Sequence, residues 1–112
     1  MKIGLDIMGG DFAPDTTVAG AILAQKELSS DVNLVLIGKE DEINVRLEGC
    51  DRSLFEIVHA DEVVEMGDSP TKALSQKRNS GISIGFNMLR EGELNGFTGT
   101  GNSGAMLVGA MR

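Results

Sequence analysis

Cysteine is nearly absent from this sequence. A lone Cys50, in the polar stretch EGCDRS, excludes a disulfide framework within the chain and points to a reducing compartment. Positive charge is also scarce: 10 Lys and Arg against 17 Asp and Glu give a net charge of −7. That balance argues against broad attraction to nucleic acid or to an anionic membrane face, so any anion must be caught locally. Long apolar runs are missing too. The opening MKIGLDIMGG has one basic residue and an apolar run of only about six residues, too short for a signal peptide's core or a membrane span. A cytoplasmic location is expected. His59, the one histidine, reads as a structural residue at a strand end, with no serine or cysteine beside it to suggest a nucleophile pair. No metal-ligand spacing is present, and no cofactor is expected.

What is present suits one domain. With 112 residues and 41% apolar composition, the chain can build one core and no more. Its last residues, SGAMLVGAMR, read as a helix that begins and meets no stop signal, which predicts a fragment of a longer protein. Ile3, Leu5 and Ile7 form a short run ended by Gly9 and Gly10, as in a buried strand. After Pro14, Asp15 or Thr16 can cap a helix running to about Leu28. VNLVLIG is continuously apolar and rich in β-branched residues, as expected of a strand covered on both faces. EDEINVRLE then reads as a short, mostly exposed helix and LFEIVHA as a third strand. Strands separated by helical segments imply a parallel sheet with right-handed crossovers and an α/β sandwich. SPTKALSQKRN predicts a helix opening at Ser69 with Pro70 in its first position. GISIGFNMLREG fits either period, and its length and its REG ending favour a helix.

The remaining stretch, GFTGTGNSGAML, predicts a strand over residues 95–98, a loop over 99–102 and a helix from Ser103. Such a junction aims free backbone N–H groups and the positive end of a helix dipole at one spot. Gly101 and Gly104 let an anion approach without a Cβ in the way. Thr100, Asn102 and Ser103 add short donors suited to phosphate oxygens. The residues leave two other readings open. The glycines could simply serve tight turns, with Ser or Asn as an ordinary cap. Gly99, Gly101 and Gly104 also satisfy the dinucleotide pattern G-x-G-x-x-G, without the acidic residue about 20 positions on that holds a ribose. A second glycine loop, DIMGGDFAPD, follows the first strand and sets Asp6 and Asp11 around Gly9 and Gly10. The only dense cationic patch, QKRNSG, places Lys77 near Ser80.

Taken together, DIMGGDFAP at the start, IVHADEVVEMGDSPTKALSQKRNS in the middle and GTGNSGAM near the end resemble the phosphate acyltransferase (PlsX) family of fatty acid and phospholipid synthesis. The resemblance runs from Lys2 to Arg112, the N-terminal third of such proteins. It implies a three-layer αβα sandwich with a mainly parallel sheet, similar to phosphate acetyltransferases and isopropylmalate dehydrogenase-like folds. It also implies transfer of a fatty acyl group from acyl-carrier protein to inorganic phosphate, a homodimer, and peripheral membrane association. In that reading Thr100, Gly101, Asn102, Ser103 and Gly104 hold phosphate or the oxyanion, with Asn102 in the catalytic set. Asp6, Gly9, Gly10 and Asp11 shape the adjoining wall, the two aspartates as catalytic candidates, and Lys77 and Ser80 contribute from a third loop. The chain departs from the family in reading Ser80-Gly81 where a serine pair is usual, which weakens any role for the second hydroxyl.

Overall fold

The computed structural model describes residues 1–9, 13–28, 31–63 and 78–99. They form strand β1 (Lys2–Asp6), helix α1 (Asp15–Glu27), strand β2 (Asn33–Gly38), helix α2 (Glu40–Arg46), a 3-10 turn (Arg52–Leu54), strand β3 (Phe55–His59), helix α3 (Gly81–Arg90) and strand β4 (Gly96–Gly99). The strands pair in the order β3-β2-β1-β4, all parallel.

Alternate residues of β2 explain the layers. Leu34 and Leu36 point to one face, where they pack with Ile7, Val18 and Ala21 of the α1 side and with Ile43 and Leu47 at α2. Val35 and Ile37 point to the other face, against Ala60, Leu94 and the α3 side chains Ile84, Met88 and Leu89. Both faces of β2 are therefore buried, which is why its sequence is apolar without a break. The result is a three-layer α/β/α arrangement, as the sequence predicts.

Chain direction sets where a ligand can sit. From β1 the chain steps outward through α1 and α2 to β3, then returns along the opposite face through α3 to place β4 on the far side of β1. Right-handed crossovers require this change of face when the direction of travel reverses. The reversal leaves a switch point at the carboxyl ends of β1 and β4, where open α/β sheets take their ligands.

Two sequence expectations are corrected. Neither Asp15 nor Thr16 is the cap of α1. Pro14 occupies that position with no side-chain cap bond, and the Thr17 hydroxyl in the first turn shares its proton between the carbonyls of Ile7 (2.5 Å) and Pro14 (3.0 Å). Asp15 instead accepts from Arg46 Nε of α2 at 2.6 Å. Its side chain is 79% exposed, so Asp15→Ala is expected to cost less than about 1 kcal/mol in urea unfolding. The second correction concerns Gly99, which belongs to β4 rather than to the loop because it pairs in register with Asp6. The choice of helix for GISIGFNMLREG holds, with Ile82 fully buried. The helix expected from Ser69 and the one expected from Ser103 lie outside the described residues.

Candidate functional site

Asp6 is the last residue of β1 and is the only charged side chain buried among the described residues, at 6% exposure. The fold closes on it from two sides. A Cβ placed on Gly81, the first residue of α3, would collide with Asp6 Oδ1. One placed on Gly99, at the end of β4, would lie 2.9 Å from Asp6 Cβ and 3.5 Å from Oδ2. Glycine at 81 and 99 is thus what lets the start of α3 and the exit of β4 approach the carboxylate.

Burial pushes the Asp6 carboxyl up to about 6 from the ordinary 3.8. The Met8 N–H, which donates to it, pulls the other way, and burial wins. Gly9 sits buried in the turn that follows, with its N–H 3.5 Å from the Asp6 carbonyl. A cleft of about 240 Å³ opens on the opposite face of the sheet, between α1 and the β1–β4 pair, with Leu5, Thr17 and Thr98 among its walls.

Of the sequence candidates, Asp6, Gly9 and Ser80 are described, as is Gly99 of the glycine pattern. They gather at the switch point. Ser80 is fully buried and is the N-cap of α3, its Oγ accepting from the Ser83 N–H at 3.2 Å. Part of its hydrogen-bonding capacity is therefore committed to the helix. Gly10, Asp11, Lys77, Thr100, Gly101, Asn102, Ser103 and Gly104 lie outside the described residues.

Sequence reasoning missed Gly81, although its place just after a capping serine at the head of a helix marks a position where two backbones can meet. His59 ends β3 as expected, and its Nδ1 accepts the Glu40 N–H at 3.2 Å, capping the first turn of α2. That bond requires a bare Nδ1 and so fixes the tautomer with the proton on Nε2.

The whole chain, residues 1–112, matches the model of a family described as fatty acid synthesis protein. The chain belongs to this family. Among curated relatives, it is 44% identical to a phosphate acyltransferase of Dictyoglomus turgidum, over 99% of this chain and 33% of the relative. It is 41% identical to one of Herpetosiphon aurantiacus, over 99% of this chain and 30% of the relative. A Clostridium tetani phosphate acyltransferase is 38% identical over 99% of this chain and 34% of its own length. The chain thus spans about a third of the length of the curated relatives it matches. Among the described residues, no helix is long and apolar enough to cross a membrane.

Proposed function

We propose that this chain is the N-terminal part of a phosphate acyltransferase that moves a fatty acyl group from acyl-carrier protein to inorganic phosphate, giving an acyl phosphate for phospholipid synthesis. The observation that carries this reading is the convergence of Asp6, the start of α3 and the exit of β4 at one switch point, where the glycine loop of residues 100–104 begins. Both the relatives' name and the family description support it over the dinucleotide reading.

The chemistry needs no protein nucleophile, because a phosphate oxygen attacks the thioester carbonyl itself. Positioning and charge stabilisation are then the enzyme's task. The backbone N–H groups of residues 100–104 hold phosphate or the developing oxyanion, with the Asn102 and Ser103 side chains as added donors. Asp6, Gly9, Gly10 and Asp11 form the adjoining wall. Lys77 brings positive charge that offsets the anion, and Ser80 holds the head of α3 in place. The working enzyme is a cytoplasmic homodimer that meets the membrane peripherally.

The test is thioester loss from acyl-carrier protein by the full-length enzyme, which must require phosphate. Loss that proceeds equally without phosphate would end the proposal. Replacing Asn102 and Ser103 together by alanine removes two donors to a charged ligand, each worth about 1.5–3 kcal/mol when fully engaged. The phosphate KM is therefore expected to rise at least about tenfold, and an unchanged KM would show that the loop is only a turn.

A further inference from the structure

The Asp6 carboxyl is enclosed on the α3 face of the sheet. Gly4, two residues earlier in β1, looks toward Leu94 and Phe97 on that face, and the strand period carries Asp6 to the same side. There Oδ1 abuts Gly81 at the head of α3, and Oδ2 lies toward Gly99 at the exit of β4. The Met8 N–H donates to the carboxylate, and no cation pairs with it among the described residues. Around it β2 brings Ile37, β4 brings Thr98 and Gly99, and α3 brings Gly81 behind its capping Ser80, none of which titrates. The described charged residues flanking the head of α3 are Glu62 and Arg78. Glu62 Oε1 accepts the Asn79 N–H at 3.0 Å, and neither residue forms an ion pair with Asp6.

An enclosed carboxylate with so few donors is costly, and water relieves that cost only if a wall moves aside. The walls differ in how they are held. Parallel ladders lock β1 to β4 as far as the Asp6–Gly99 pair and β1 to β2 as far as the Asp6–Ile37 pair. Local bonds hold the head of α3: the Ser83 N–H to Ser80 Oγ at 3.2 Å, and the Glu62 N–H to the Asn79 carbonyl at 3.2 Å, with the Asn79 N–H returned to Glu62 Oε1. The head is therefore the wall that yields.

We propose that Asp6 is a proton-operated latch, which holds the head of α3 against β1 while protonated and releases it to water once ionised. The assignment does not depend on the acyl-transfer reading. Burial raises the enclosed carboxyl from 3.8 to about 6, whereas a carboxyl released to water keeps an ordinary proton affinity. The closed head is thus tightest below pH 3.8 and loosens about tenfold per pH unit as pH rises to about 6, about a hundredfold in all.

Amide hydrogen exchange of the full-length enzyme tests this, with rates corrected for the intrinsic effect of pH. Protection of the Ser83 and Ile84 amides, both bonded to Ser80, should fall by up to about a hundredfold between pH about 4 and about 7 in the wild type, and stay level in Asp6→Asn. Release of the head is a local opening, so this exchange should ignore low urea, while the amides of the buried Leu36 and Ile37 in β2 speed up with it. A pH-independent wild type, an Asp6→Asn profile that keeps the wild-type slope, or Ser83 and Ile84 amides that follow Leu36 and Ile37 in urea would overturn the latch. Should the variant fail to fold, the Asp6 carboxyl carbon is titrated by NMR in the wild type. Its inflection should coincide with the pH at which the exchange profile levels off, and a mismatch overturns the latch equally.

Discussion

Replacing Gly85 by valine is expected to cost the protein about 3 kcal/mol of stability, read as a fall in the urea midpoint, because overpacking a tight contact costs 1–3 kcal/mol and sometimes more. Gly85 is buried in the middle of α3, and a Cβ there would collide with the ring of Phe97 on β4. That ring cannot simply step aside, since it also meets Phe86 edge-on, with centroids 5.2 Å apart at 74°. Glycine in mid-helix ordinarily loses up to about 1 kcal/mol against alanine. At position 85 that cost admits an aromatic side chain between helix and sheet. The partner can be tested directly. In a Phe97→Ala background the penalty of Gly85→Ala should vanish or turn into a gain, and such coupling is what a double-mutant cycle measures. Purely additive effects would contradict the contact.

The second large effect concerns Asp6. Its carboxyl is raised from 3.8 to about 6 in the folded protein, so the folded state holds the proton more tightly than the unfolded one. Its contribution to stability is therefore fully present below pH 3.8 and is lost as pH rises through about 6. At about 1.4 kcal/mol for each pH unit, the ionised carboxylate costs the protein about 3 kcal/mol at neutral pH. Asp6→Asn, which never ionises, is expected to be more stable than the wild type by up to that amount at pH 7.5, with the gain fading by pH about 4. Urea midpoints at the two pH values check this. An asparagine variant less stable than the wild type at pH 7.5 would show that the carboxylate is a structural anchor.

Much of the fold is legible in the residues because burial writes a period into them. The unbroken apolar run of VNLVLIG marks a strand covered on both faces, and Leu36 and Ile37 are indeed buried on opposite sides of the sheet. Boundaries are less legible because they answer to partners distant in sequence. Gly99 is strand rather than loop only because Asp6 lies opposite it. In the first turn of α1, Thr17 bonds back to the Ile7 carbonyl, a contact that no local capping rule contains. The site is half legible. DIMGG and the glycine-rich GTGNSG mark the exits of β1 and β4, yet Gly81 and Gly85 look like weak helix residues until Asp6 and Phe97 are seen to need their space. Close approach between distant backbones leaves only a glycine as its trace.

The central claim is that backbone N–H groups leaving β4 hold a small oxyanion beside Asp6, and a crystal structure of the full-length enzyme with phosphate tests it most directly. The account predicts phosphate on the amides of residues 101–104, with one of its oxygens within hydrogen-bond reach of the Asp6 carboxyl. Amides capped by the protein's own side chains, or phosphate bound at a site remote from Asp6, would contradict it.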